Sequence, residues 1–275
     1  MILERIKDIS NGRIITTDSD FIETEHPRDN DGKFAEKSSS SDHKVKAKVH
    51  GNKSIIEEYG IKSDSFNDLA NFEGVEEVEI DVKATIDGTI SCATVFYKEG
   101  KPFGEADFDI EDYSMDIDHV SFETQEHQAK GYCTAFLENT KKLCKKFGIE
   151  EINLFADITI GKYAWAKMGF DFADEGYVLD VKRELKKYAN KIIEKKGLSL
   201  SSEQTKKINF MIRSIKSAKD IADLKIPGLE ATAAELNTMI GFENDDVDKS
   251  LRMDIGKAFM LDDYGLEGWN GVLRV

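Results

Sequence analysis

Six consecutive residues carry the first chemistry that can be read from the chain: Gln128, Ala129, Lys130, Gly131, Tyr132 and Cys133. A glycine at the mouth of a helix lets a ligand come close to the backbone, and a helix opening at 132 leaves its first amides without intrahelical acceptors. Those amides, with the positive end of the helix dipole, make an anion site. A plain turn glycine has the same spelling, so the flanking residues must decide. Upstream, the carboxylates Asp116, Asp118 and Glu123 are candidate general bases, acting directly or through water, with ordinary solvated or edge carboxylates of an acidic protein as the alternative. Downstream, Tyr163 and Trp165 either line a ligand channel or fill the core. Cys133 stands at a helix N-terminus, where a thiol pKa is expected to fall, yet no histidine nearby in sequence would orient it as a nucleophile. His119, in mid-strand, is expected to be a hydrogen-bonded structural side chain. Lys141, Lys142, Lys145 and Lys146 read as a solvated helix face, with attraction of a phosphate as the alternative.

The elements that must position these residues follow from periodicity. VEEVEIDVKATI alternates with period 2 and runs into Asp87-Gly88, a strong hairpin signal. TISCATVFY, PFGEADFDI and YSMDIDHVSF supply three more strands, so a four-stranded antiparallel meander is expected over residues 75 to 123. In its last strand Met115 and Ile117 occupy odd positions, whereas Val120 and Phe122 occupy even ones. Either both faces of that strand are buried or a β-bulge slips the phase by one residue. Residues 132 to 147 place Phe136, Leu137, Leu143, Cys144 and Phe147 on one helical face, closed by Gly148. EINLFA at 151 to 156 is a short buried strand, and 162 to 168 a short helix closed by Gly169. Beyond Val181 helices are expected near 181–196, 202–216 and 231–240, with GWNGVLRV at the end as a strand or an ordered tail.

This order of strand, loop, helix, strand and helix resembles the GNAT superfamily of acyl-CoA-dependent N-acyltransferases. The resemblance covers residues 75 to 180. It rests on Gln128, Gly131 and Cys133 in the frame of the family's Q/R-x-x-G-x-G/A loop, and on Trp165-Ala166-Lys167-Met168-Gly169-Phe170 in that of its Y-x-K-x-G-F sequence. It implies an α/β (α+β) fold, with a mixed, mainly antiparallel sheet, flanking helices and a helical C-terminal region. It also implies acetyl-CoA or another acyl-CoA as cofactor and an amine as acceptor. Val120, Phe122, the loop from Gln128 through Ala129, Lys130, Gly131 and Tyr132 to Cys133, and Trp165 would then bind the coenzyme. Three departures stand out. The family's frequent general acid is a tyrosine where this chain has Trp165, and an indole cannot deliver a proton as a phenol does. Tyr163 is the nearest phenol, but two residues on a helix turn it about 200° away. The family's Asn near 158–161 is missing, and its usual strands after the G-F pair are hard to find in VKRELKKYANKIIEKK.

The chain has 275 residues, 38 Lys+Arg against 53 Asp+Glu and a formal net charge of −15. That balance argues against nucleic acid as the main partner. No apolar run approaches the roughly 18 residues a membrane span needs, and MILERIKDIS lacks the pattern of a signal peptide. Three widely spaced cysteines and scattered histidines offer neither a disulfide framework nor a metal site. Residues 25 to 50 hold almost no large apolar side chains, so 23 to 50 is expected to be a disordered linker after a docking segment at 1 to 22. A calcium loop around Gly32 fails at both ends, where Pro27 and Ser38 stand. His26 to Phe34 instead resembles short H-P-R-D-x-x-G-K-F segments of phage head-associated proteins. That resemblance implies docking of the Arg28–Phe34 region on a head or portal component, and a location in the host cytoplasm or the virion. The domain expected at 51–180 is followed by helices at 181–275 packed on it. The leading expectation is a phage-encoded acyl-CoA-binding protein that transfers an acyl group to an amine. The rivals are a catalytically inactive virion protein on the same scaffold and a delivered effector acting in a host cell.

Overall fold

The computed structural model describes residues 45–51, 62–71, 74–85, 88–122, 131–157 and 159–275. Four strands form the expected meander: β2 (Glu77–Ala84), β3 (Ile90–Lys98), β4 (Lys101–Glu111) and β5 (Ser114–Phe122). Their turns are local chemistry. Glu99 and Gly100 both take positive φ, 52° and 69°, the two-residue geometry whose twist matches a hairpin. Alternation then sends Val78, Ile80, Val82, Phe108 and Met115 into the core.

Helix α1 (Tyr132–Phe147) packs on that apolar face, with Phe136 and Phe96 edge to face at 6.0 Å. Gly148 ends it in the left-handed region at φ 71°, with its N–H donating to the Cys144 carbonyl, as a C-terminal glycine does. Strand β6 (Glu151–Ala156) returns parallel to β5, and α2 (Thr159–Lys167) leads to the two-residue strand β7 (Asp171–Phe172).

The far side of the sheet is supplied from the other end of the chain. Strand β10 (Trp269–Arg274) inserts between β6 and β7, antiparallel to both. The closing GWNGVLRV is therefore a central strand of the sheet. Of the two expectations for this segment, strand or ordered tail, it is the strand, and it stands at the end of the mostly helical 181–275 region. The sheet order is β1-β2-β3-β4-β5-β6-β10-β7, a mixed, mainly antiparallel sheet with flanking helices, of α/β (α+β) class. The edge strand β1 (Ala47–Gly51) pairs parallel with β2 and so takes residues 47–50 out of the expected linker. Val45, Ala47 and Val49 turn one half-buried face to the core while Lys46, Lys48 and His50 stay exposed. The bare edge of β2 gives this short segment a partner that composition alone does not reveal.

The helical excursion between β7 and β10 comprises α3 (Tyr177–Lys195), α4 (Ser202–Ser214), α5 (Ala218–Ala222), α6 (Ala233–Ile240) and α7 (Ile255–Leu261). A two-stranded ribbon, β8 (Ala231–Thr232) with β9 (Arg252–Met253), ties it internally. Capping boxes start three of the helices: Ser201 with Gln204, Ser217 with Asp220, and Thr232 with Glu235. In α3, Val178, Val181, Leu185, Ala189 and Ile192 are buried at helical spacing. The excursion is fastened to the sheet domain by Lys162 of α2. Its buried ammonium donates to the Leu266 carbonyl at 2.6 Å and the Asp262 carbonyl at 3.3 Å. Burial lowers the Lys162 pKa, and these carbonyls meet its remaining hydrogen-bonding needs.

Candidate functional site

The phase slip in β5 is a bulge. Asp107 of β4 pairs with His119 and Phe108 pairs with Ile117, so Asp118 is the extra residue. The same point marks the end of the parallel pairing with β6, which runs from Ser114↔Glu151 to Ile117↔Leu154. Past Ile117, β5 has a ladder with β4 only, among the described residues. Among the described residues no strand pairs with its other edge from Asp118 to Ser121, so β5 and β6 part there. A bulge bends and twists its strand, so this one residue opens the sheet.

Helix α1 begins close to that opening. Gly131 sits at φ 76°, and a Cβ built on it would meet nothing within 4 Å. Glycine is required there by the backbone angle, and the space beside it is open. Gly131, at the N-cap position, has no side chain with which to cap the helix, and a helix start of this kind has the character of an anion site. Thr134, in that turn, donates its hydroxyl to the Met168 sulfur at 3.9 Å. This contact sets the start of α1 against the end of α2, where Trp165 meets Phe170 edge to face at 5.4 Å. The chain thus brings the start of α1 and the W-A-K-M-G-F frame together.

The individual residues fall into three groups. At the opening, Asp116 is half-buried beside Asn153 in register, with Asp109 across from it on β4. The exposed Asp118 has its carboxyl raised by desolvation first, then by the charges of Asp109 and Asp116. Val120 is half-buried and packs on the core.

A second group is structural. The Phe122 ring is buried among Phe96, Phe103 and Tyr132 and lies over Gly104, where a Cβ would stand 2.3 Å from Phe122 Cδ1. The Tyr132 side chain is also a core side chain, its ring 5.5 Å from Phe103 and its hydroxyl against Gly74. Whatever part these two take in holding a ligand belongs to their backbone. Tyr163 is half-buried, with the Lys257 ammonium 5.1 Å from its ring centre. That contact turns it toward α7 and away from the strand carboxylates. Cys133 departs from its expectation: desolvation by burial pushes its thiol up to about 11, against the smaller lowering effect of a hydrogen bond from its own backbone N–H.

The third group, Glu123, Gln128, Ala129 and Lys130, lies outside the described residues. So does the His26–Phe34 segment. Three of the four lysines of α1 have partners within the fold: Lys141 pairs with Glu138 at 2.7 Å, Lys146 with Asp68 at 2.6 Å, and Lys142 bonds Asn139 at 3.1 Å. They stand at the far end of the helix from Gly131. His119 Nε2 lies 3.1 Å from Glu105 Oε1, a hydrogen-bonded strand histidine.

Sequence reasoning missed Asn153, whose register with Asp116 depends on a pairing between distant segments. It also missed Phe155, which is 58% exposed although EINLFA reads as buried. Its ring lies against Gly268, where a Cβ would come within 2.8 Å of it. No group of three or more His, Cys, Asp or Glu side chains is placed to hold a metal among the described residues. No described helix is long and apolar enough to cross a membrane.

No family model matches the chain, and no curated protein matches it. Among solved structures it is similar to the PaiA N-acetyltransferase of Thermoplasma acidophilum in complex with coenzyme A, with 20% identity and a TM-score of 0.28. The match covers 30% of this chain and 52% of that one, so this chain spans about half the length of that protein. A nourseothricin acetyltransferase matches at 14% identity and TM-score 0.27, over 34% of this chain and 69% of its own. An acetyltransferase from Bacillus cereus matches at 18% identity and TM-score 0.26, over 45% of this chain and 74% of its own.

Proposed function

We propose that the chain binds an acyl-CoA in the opening between β5 and β6 and transfers the acyl group to an amine. One observation carries this reading: the bulge at Asp118 ends the pairing of β5 with β6 near the glycine-opened start of α1. A bare strand edge offers hydrogen bonds to an extended chain of amides, and a helix start offers them to a diphosphate. Coenzyme A has both parts, so the residues present fit it, and when bound it supplies the acyl group as a thioester. The amides of Cys133 and Thr134 would hold its pyrophosphate. The β5 edge near Val120 would hold the arm that leads to the thioester. Asp118, its carboxyl raised above the ordinary range, would take the proton from the incoming ammonium, with Asp116 beside it. The acceptor and the acyl chain length belong to the same proposal.

A second reading is favoured by Trp165. Packed against Phe170 and lacking a dissociable hydroxyl, it leaves the usual acid position empty of acid chemistry, which suits a protein that binds without turnover. Loss of one general acid costs about 10²–10⁴-fold, so slow transfer separates the two readings from each other.

Thermal unfolding with acetyl-CoA tests the binding. A ligand at 100 times its Kd adds about 2.7 kcal/mol, a midpoint rise of roughly 5–11 °C at 2–4 °C per kcal/mol. Gly131→Asp should abolish the rise by setting a carboxylate in the anion site. Gly131→Ala carries the same backbone strain without the charge and should keep most of it. No rise with acyl-CoAs of several chain lengths sinks the proposal. A rise without release of free thiol in the presence of amines selects the non-catalytic reading.

A further inference from the structure

The charge of this chain is divided between two unlike faces. On the side of the sheet away from α1, alternation projects Glu77, Glu79 and Asp81 from β2 and Glu105, Asp107 and Asp109 from β4. Lys48 reaches Glu77, Lys83 reaches Asp81 and His119 reaches Glu105. Glu79, Asp107 and Asp109 have no ion pair with Lys or Arg among the described residues. The face is polar and half-exposed, which is not the composition that a packed helix demands.

The opposite charge is gathered on α3 and α4. These helices run antiparallel, with Lys182 Nζ donating to the Arg213 carbonyl at 3.2 Å. Residues 177–214 hold ten Lys and Arg (182, 183, 186, 187, 191, 195, 196, 206, 207, 213) against four Asp and Glu (180, 184, 194, 203). This is a local net charge of +6 in a chain of −15. Lys186, Lys191, Lys206 and Lys207 are exposed without an ion pair among the described residues, and Phe210 stands 71% exposed between them and Arg213.

We propose that the acidic sheet face is a docking surface for a second copy of this chain, and that its occupant is the basic α3–α4 hairpin of that copy. The two surfaces match in size as well as sign. Four strands about 4.8 Å apart and some nine residues long present roughly 15–20 by 30 Å. A 19-residue helix is about 28 Å long, and two helices side by side are about 20 Å wide. Contact over that footprint buries roughly 1,000 Å² in total, the lower bound of a specific interface. The segment 1–44 is a poorer occupant, because its seven Lys and Arg are outnumbered by ten Asp and Glu and it repels the face. Since the two surfaces differ, each contact uses one of each and copies add head to tail unless the arrangement closes.

Salt sets the window. A net charge of −15 on each copy repels at long range, whereas the local match acts at contact. The Debye length is about 10 Å at 0.1 M and about 3 Å at 1 M salt. Association is therefore expected at the first and dissociation at the second. Sedimentation velocity of the full chain across micromolar concentrations should show a mass rising from 31.0 kDa to at least twice that at the lower salt. Both Lys186→Glu/Lys191→Glu and Glu79→Lys/Asp109→Lys should stay monomeric, with far-ultraviolet dichroism and melting midpoint checking that each is folded. An equimolar mixture of the two variants should associate again, because each supplies the partner the other lost. The proposal is overturned if the natural chain is monomeric at 0.1 M salt, or if either folded variant still associates. It is also overturned if the mixture fails to recover, or if the hairpin retains a short DNA duplex while copies stay apart, which would make it a polyanion-binding face.

Discussion

Strand β10 joins the two ends of the molecule, and Trp269 is the side chain through which it does so. The indole is 2% exposed, meets Phe172 of β7 edge to face at 5.0 Å, and lies over Gly271, where a Cβ would come within 2.9 Å of the ring. Trp269→Ala removes this packing and leaves a cavity between β10 and β7. Truncations of this kind cost about 3–5 kcal/mol, a fall in midpoint of roughly 6–20 °C at 2–4 °C per kcal/mol. The indole also carries a liability. Its buried Nε1–H has no hydrogen-bond partner among the described residues, and such a group costs about 1–3 kcal/mol. Trp269→Phe should keep an edge contact with Phe172 and remove the orphan donor, so its net loss should be small, about 1 kcal/mol or less. The two variants thus separate ring packing from the N–H. Thermal unfolding followed by circular dichroism reads both. Equal losses for Ala and Phe would mean that Nε1–H has a partner. No loss for Ala would mean that β10 does not hold the sheet's far side.

Two further outcomes follow from the helical excursion. A Cβ on Gly256 would stand 1.9 Å from the Ile221 carbonyl oxygen, where α7 crosses α5. Gly256→Ala must therefore separate two helices and should cost about 1–3 kcal/mol, read as a lower midpoint; an unchanged midpoint would refute the close approach. Asp262 is buried, and desolvation raises its carboxyl above 3.8 against the backbone N–H donors of Tyr264 and Glu243. A folded-state pKa above the unfolded one means the native state binds more protons between the two values, so stability falls as pH rises through that window. Asp262→Asn keeps the accepting oxygen and removes the titration, so its midpoint should gain on that of the natural chain from pH 4 toward neutrality. A difference that stays constant with pH refutes this assignment.

The sequence is most legible where partners are close in the chain. The meander follows from period-2 alternation, and α1 from five apolar residues ended by glycine, because hairpins and helices are decided within a dozen residues. The bulge was legible as a conflict of phase between Ile117 and Val120, though only the pairing with β4 decides between a bulge and a strand buried on both faces. Strand β10 was legible as a strand or an ordered tail, but its place in the sheet was not, because its partners β6 and β7 are a hundred residues earlier and β7 is two residues long, too short for any period. The same distance hid Asn153. Tyr132 and Phe122 illustrate a different limit: residue type and position in a loop or strand fit a ligand contact, while the contacts with Phe103, Phe96 and Gly104 that claim their rings come from two other strands, β3 and β4.

In the proposed acyl transfer, the acid–base capacity of the opening lies on its strand side. On α2 the two aromatic candidates are committed elsewhere, Trp165 to Phe170 and Tyr163 to the Lys257 ammonium. Neither geometry leaves a phenol facing the start of α1. On β5 the bulge does two things at once. It ends the pairing that would have closed the sheet, and it sets Asp118 near Asp109 and Asp116, so that desolvation and like charge together raise its carboxyl. A carboxylate held above its ordinary pKa is a stronger base, and here it sits at the edge that the same residue exposes. Deleting Asp118 would restore the register of β5, pair the bare edge and remove the base in one change. If the proposed acyl transfer is right, opening and proton acceptor are a single structural feature, so a loss of binding and a loss of any turnover should not be separable by altering the length of this strand, although replacing the side chain alone separates them.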